Sequence, residues 1–301
     1  MSLLSLLIAL FSEKHLPGNS WQFDSYFNRY VSFYKKSKAL TQFKKSSFSY
    51  AIFLLLPPIV LFIVLNAMGN GLLNLILSTL VLITTLGCKT TRNTYREYLN
   101  AAYRGDTTTT EMHHLQLLED KNLPALGFGQ ALVWLNYRYY IAIMLFFIFF
   151  GAAGALFYRL LTSATEFQDD CLLDDGDENE VDETGANTDS NTFSTPNVSN
   201  GCKNYHDVLF YVDWLPVRIS SLGYMLVGHF SKALPTWLES AFNTKKANCD
   251  VLIDVAQQSE DITVDSEDCS GEPTLLVHLA KRNVLLILSI LSILILAGVI
   301  R

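Results

Sequence analysis

Residues able to do chemistry fall at a few places in this 301-residue chain. The densest is Asp213-Trp214-Leu-Pro216-Val-Arg218, an acid and a base five positions apart in an apolar run, with His229 following. Asp213 is expected to be a helix N-cap with Pro216 in the first turn, where a missing N–H costs little. Asp213 and Arg218 would then share one helix start beside the bilayer. There they would hold a ligand, or order the bundle as a cap and buried ion pair. A second place is Arg104-Gly105-Asp106, and a third is Asn136 and Arg138 next to Trp134 and Tyr137. His113 and His114 are adjacent and point apart on a helix, so with Glu111 they do not predict a metal site. The candidate ligand or coupling residues are therefore Arg104, Asp106, Asn136, Arg138, Asp213, Trp214, Arg218 and His229. No catalytic residue, metal ligand or cofactor is assigned.

The elements that must position these residues are membrane helices. Half the residues are hydrophobic and 17% are charged, and mean hydropathy is +0.24. Such a composition suits an all-α polytopic membrane protein with sizeable loops. Net charge is −7, concentrated in an acidic stretch over 166–189, and this argues against nucleic acid as a partner. The five cysteines, at 88, 171, 202, 249 and 269, contain no Cys-x-x-Cys pair, which speaks against a zinc or redox motif.

Three parts are expected: an N-terminal membrane part over 1–162, an acidic disordered loop over 163–204, and a C-terminal membrane part over 205–301. Residues 1–11 predict a short helix, too short to cross about 30 Å of hydrocarbon. Residues 12–47 combine lysines with recurring aromatics and predict an amphipathic cytoplasmic helix on anionic lipid. Spans are predicted at 48–67, kinked at Pro57-Pro58, and at 72–87. Lys35–Lys45 before them and Lys89, Arg92 and Arg96 after them place both ends in the cytoplasm. The cytoplasmic segment 88–138 carries helices over 90–103 and 110–120. A long third span, 139–160, is approached from residue 125, has a small-residue face at Gly151-Ala-Ala-Gly154, and ends on an interfacial anchor at Tyr158-Arg159.

Residues 163–204 lack Lys and Arg before Lys203 and predict disorder; EF-hand calcium spacing is missing. A membrane-associated helix is expected over 208–230, a short helix over 249–259, and a final span over 284–300. Counting three spans puts residue 163 in the periplasm. If 208–230 does not cross, the four later cysteines share an oxidising space and could pair. If it crosses or enters deeply, Lys281-Arg282 lie inside, as the charge rule favours.

Four stretches carry a resemblance. Asp213 to Ile219 resembles the Asp-Trp-Ile/Val-Pro-Ala/Val-Arg-Leu signature of the CobD/CbiB superfamily, typified by the amide-forming synthase of cobalamin assembly. Gly228 to Trp237, Leu132 to Leu161 and Tyr103 to Asp106 more specifically resemble the AmpE family. That resemblance implies a multi-pass inner-membrane protein of a Gram-negative bacterium with a regulatory role in β-lactamase induction and cell-wall recycling. The partners it implies are the bilayer, a muropeptide-like or nucleotide ligand, and proteins of that pathway. The superfamily also implies an alternative, an ATP-dependent amide synthase or a non-catalytic ligand-binding relic of it. Here the superfamily's N-terminal acidic and His-Pro elements are reduced to Glu13-Lys14-His15 and Trp21. Its acidic pair is replaced by Trp134, Asn136, Tyr137 and Arg138. A transporter is disfavoured by the lack of inverted repeats.

Overall fold

The computed structural model describes residues 2–15, 22–36, 47–67, 71–166, 200–241, 243–244, 246–260 and 270–298. Every regular element among them is helical. In chain order they are α1 (Ser2–His15), α2 (Phe23–Lys36), α3 (Ser47–Ala67), α4 (Gly71–Thr85), α5 (Lys89–Tyr103), α6 (Thr107–Asp120) and α7 (Phe128–Asn136). A π-helical turn (Tyr137–Ile141) follows, then α8 (Ala142–Glu166), α9 (Asn200–Val227), α10 (Phe230–Ala241), α11 (Asn248–Gln258) and α12 (Gly271–Leu296). The expected acidic loop over 163–204 is helical at its two ends, 163–166 and 200–204, and its remainder lies outside the described residues, as do Cys171 and Cys269. Cys88 and Cys249 carry free thiols.

By length and composition alone, the apolar helical stretches sufficient to cross a membrane are Gly71–Tyr103, Phe128–Glu166 and Gly271–Leu296. The chain is thus an all-α membrane protein. Its core is aliphatic and aromatic: Phe53 of α3, Leu82 of α4, Ile143 of α8, Val217 of α9 and Leu279 of α12 are all fully buried. α3 keeps its helix through Pro57-Pro58. Leu56, Ile59, Phe62 and Ile63 remain exposed on it, the composition of a lipid-facing surface.

Close approaches fix the packing. A Cβ on Gly129 would lie 2.9 Å from Leu276 Cδ1 and 3.1 Å from Pro273 Cα, so α7 and α12 touch at that glycine. A Cβ on Gly223 would collide with Asn283, whose Nδ2 donates to Ser220 O at 3.0 Å. That pair holds α9 against α12.

The expected third span is not one helix. At Gly151 the backbone takes φ 70 and ψ −164, a region that residues with a Cβ scarcely enter. The chain folds back there. Tyr139 OH lies 2.8 Å from both carboxylate oxygens of Glu166 although 27 residues separate them; a straight helix would hold them about 40 Å apart. The Phe146 and Tyr158 rings stack at 4.9 Å across the reversal, where a continuous helix would separate them by about 18 Å. Glu166 therefore returns to Lys121 and Asn122 instead of lying a bilayer away from them. The small residues after Gly151 serve this turn: a Cβ at Gly154 would sit 2.7 Å from Phe146 O.

α9 also departs from the expected helix start at Asp213. It starts at Asn200 and carries Asp213 and Pro216 in its interior, so neither lies at a helix start. Tyr205 and Leu209 are buried on the preceding turns, and their burial favours helix well upstream of the local cap signal.

Candidate functional site

The site is assembled around the π-helical turn. A π-turn inserts one residue into the helical register, and such turns concentrate at functional sites. This one closes with Ala142 N–H donating to Tyr137 O. Tyr137 and Tyr139, two residues apart, face nearly opposite sides and reach two different carboxylates.

On one side is Asp213, 2% exposed. Its Oδ1 accepts from Tyr137 OH at 2.7 Å and from Tyr158 OH at 2.8 Å. The fold-back at Gly151 is what allows residues from both legs of one apolar segment to meet on a single oxygen. On the other side Glu166 accepts from Tyr139 and lies 3.2 Å from Lys121 Nζ. Asn122 Nδ2 donates to Thr165 O at 3.4 Å. Burial alone would lower the Lys121 amine; the Glu166 carboxylate reverses this and holds it above its ordinary value of 10.5. Arg138 lies between the two carboxylates: its Nη1 is 4.0 Å from Glu166 Oε1, and its charge also acts on Asp213. Its guanidinium packs over Trp134 at 4.9 Å.

Arg159 was expected as an interfacial anchor. It is instead 1% exposed, laid over Tyr139 at 4.3 Å and Phe23 at 5.2 Å, with Nη2 3.4 Å from Asp24. Among the described residues, Arg138 Nε, Arg159 Nε and Nη1, Asn136 Oδ1 and Trp214 Nε1 are buried without a hydrogen-bond partner. Each such group carries a desolvation cost of about 1–3 kcal/mol that a ligand or ordered water would relieve.

Asp213 and Arg218 do not form the expected ion pair. Five helical residues correspond to roughly 140° of rotation, outside the i+3 and i+4 neighbour positions. Arg218 turns instead to Asn248 Oδ1 at 2.5 Å, Asn243 O at 3.1 Å and Trp214 O at 3.1 Å. Asn248 Nδ2 donates to Phe210 O at 2.7 Å. Arg218 thus ties α9 to the start of α11 and to the turn after α10, with Trp214 beneath it at 4.9 Å.

The remaining candidates lie elsewhere. Arg104 and Asp106 are exposed in the turn between α5 and α6. There Asp106 caps α6 through Thr109 N at 3.1 Å and Thr109 Oγ1 at 2.6 Å, and these bonds hold its carboxyl below the ordinary value. His229 is exposed at the α9–α10 junction, its N–H donating to Ser259 O at 2.7 Å. The structure therefore brings the charge of Arg138 to bear on Asp213, leaves Asn136 at the start of the π-helical turn with Oδ1 buried and unpartnered, sets Trp214 and Arg218 on the turn after Asp213, and leaves Arg104, Asp106 and His229 exposed elsewhere.

Sequence reasoning missed Tyr137, Tyr139, Tyr158, Lys121, Glu166 and Arg159 as partners. The available signal was a run of tyrosines and two charges bordering an apolar segment, which cost too much in lipid to be left unpartnered. A further junction joins Glu13 to Arg92 by an ion pair and to Tyr140 OH at 3.0 Å. Gly87 N–H donates to Tyr139 O at 3.0 Å, and φ 76 at that residue needs glycine.

Fold and site together define a helical membrane protein with buried, tyrosine-linked carboxylates. The chain belongs to the AmpE family: the model for the regulatory signalling modulator protein AmpE matches residues 1–165 and 194–301. It is similar to Protein AmpE of Shigella flexneri, 24% identical over 309 residues, covering 98% of this chain and 97% of that relative. No solved structure matches it. A regulatory role follows from the family.

Proposed function

We propose that the chain is a multi-pass inner-membrane regulator of a Gram-negative bacterium, acting in signalling that links cell-wall recycling to β-lactamase induction. The observation that supports it is the family match on both sides of the acidic stretch. Asn136, Arg138 and Asp213 are its coupling residues. Here a muropeptide-like or nucleotide ligand, or a protein of the pathway, would change the balance between the Asp213 and Glu166 networks. The wider kinship with the CobD/CbiB superfamily, carried by Asp213 to Ile219, belongs to the same proposal. Amide-synthase chemistry gains no support from the packing, because Asp213 is engaged by two tyrosines and Arg218 by three internal acceptors.

The test is β-lactamase activity with and without an inducing β-lactam, in a host with an inducible enzyme. The intact gene, its deletion, and the deletion complemented by wild type, Asp213→Asn or Arg218→Ala are compared, with membrane levels of each protein measured. The expected result is an induction ratio altered by deletion, restored by wild type and not by Asp213→Asn at equal protein level. An induction ratio untouched by deletion sinks the regulatory reading; restoration by Asp213→Asn removes the buried carboxylate from the mechanism.

A further inference from the structure

The reversal at Gly151 has a consequence for how the chain meets the membrane. We propose that residues 139–166 form a re-entrant hairpin that enters and leaves the bilayer on the side holding Lys121, its tip ending among lipid acyl chains. The segment is apolar enough for hydrocarbon, with no charged residue between Arg138 and Arg159. Both legs are helical up to Gly151, so their backbone groups are paired internally, the condition for entering lipid. The base is polar and tied to residues outside the apolar segment: Glu166 to Lys121, Thr165 to Asn122 and Arg159 to Asp24. The tip is apolar and open, with Phe149 58% and Phe150 66% exposed.

Depth decides between crossing and re-entry. The dozen residues from Tyr139 to Gly151 cover about 18 Å, and the return leg to Glu166 about 22 Å. Hydrocarbon is about 30 Å thick. A hairpin anchored at Tyr139, Glu166 and Lys121 passes the midplane and stops short of the far interface. The base side is set by Lys89, Arg92 and Arg96 on α5, which the positive-inside rule assigns to the cytoplasm. The chain beyond Glu166 then starts in the cytoplasm, whereas counting three crossings placed residue 163 in the periplasm. An acidic sequence is compatible with this, since Asp and Glu contribute little to that rule.

The test uses full-length protein with a specific protease site inserted after Ser190, or after Gly105 as a reference, and the protease directed to the cytoplasm or to the periplasm. The expected result is cleavage of both sites by the cytoplasmic protease. Cleavage after Ser190 by the periplasmic protease, with the Gly105 site cut in the cytoplasm, overturns the proposal. Ser190→Cys and Thr108→Cys, each in a background with the native cysteines changed to serine, give a second reading with an impermeant maleimide. Equal protection until the inner membrane is opened supports re-entry; labelling of Ser190→Cys alone refutes it. For the tip, Phe150→Trp in vesicles of phosphatidylcholine brominated mid-chain should lose more fluorescence than wild type. An unchanged quenching ratio would mean that protein rather than lipid covers Phe150, and would overturn the lipid assignment.

Discussion

Gly151→Ala reads the fold by the sign of its effect. An added Cβ at Gly151 would meet nothing within 4 Å, so sterics with neighbours play no part. If 142–166 were a continuous helix, alanine would stabilise it by about 0.5–1 kcal/mol relative to glycine. With φ 70 and ψ −164 at that residue, alanine is strained, and the expected cost is about 1–3 kcal/mol. Gly151→Val should cost more despite the open space, because a β-branched residue is still less tolerant of positive φ. Gly154→Ala destabilises for a different reason. Its Cβ would be 2.7 Å from Phe146 O, a backbone atom that cannot swing aside, and overpacking of this kind costs about 1–3 kcal/mol. The assay is thermal unfolding in detergent micelles, followed by loss of monodisperse protein. Lower midpoints for all three variants are expected. A Gly151→Ala variant at or above the wild-type midpoint would refute the reversal and every contact that depends on it.

The other expectations concern the buried polar groups. Tyr137→Phe and Tyr158→Phe each remove a hydroxyl that donates to Asp213, at an expected cost of about 1.5–3 kcal/mol for a bond to a charged group; neutral midpoints for both would place the Asp213 charge elsewhere. A double-mutant cycle of Tyr137→Phe with Tyr139→Phe should show a coupling above about 0.5 kcal/mol, although the two hydroxyls serve different carboxylates; additivity would argue that the π-turn does not link them. Lys121→Met strips Glu166 of its nearest cation and should cost about 3–5 kcal/mol, as removing one partner of a buried pair does. The Lys121 amine is raised above 10.5, so its contribution is fully present below pH 10.5 and is lost only as pH rises through the higher folded value; the Lys121→Met deficit should stay constant between pH 6 and 9. Asp106 behaves in the opposite sense. Its carboxyl is lowered below 3.8 by the Thr109 bonds, so its cap contribution holds above pH 3.8 and fades as pH falls through the lower folded value. Asp106→Ala should shift the thermal midpoint at pH 7 and lose that difference in strong acid.

Much of the helical layout is legible in the sequence because hydropathy and turn residues are local signals. Lys89–Tyr103 begins one residue before its expected start, and Asn248–Gln258 differs by one residue at each end. The reversal at Gly151 is not legible, since Gly-Ala-Ala-Gly after an apolar run also describes a helix-packing face, and the torsions that distinguish the two leave no mark on composition. Asp213-x-x-Pro216 is a sound local cap signal that tertiary burial of the preceding turns overrides. Asp213 and Arg218 are conspicuous in sequence, yet their partners are not, because Tyr137, Tyr158 and Asn248 come from other helices. Glu166 was hidden by the acidic stretch that follows it. Its role depends on the hairpin returning to Lys121.

Two carboxylates on different parts of the chain are read by one turn of helix. Tyr137 reports on α9 through Asp213, Tyr139 reports on the end of the hairpin through Glu166, and Arg138 lies between them. Relaxing that π-turn to α-helix removes one residue from the register and rotates its two flanks by about 100° relative to each other. Tyr137 and Tyr139 cannot both keep their hydrogen bonds through such a rotation. Under the proposed function, a ligand or partner that favours one network would act on the other through this turn. Under the proposed function the point of leverage is this turn, where Arg138 Nε and Asn136 Oδ1 are buried without partners, and not the exposed Arg104 and Asp106.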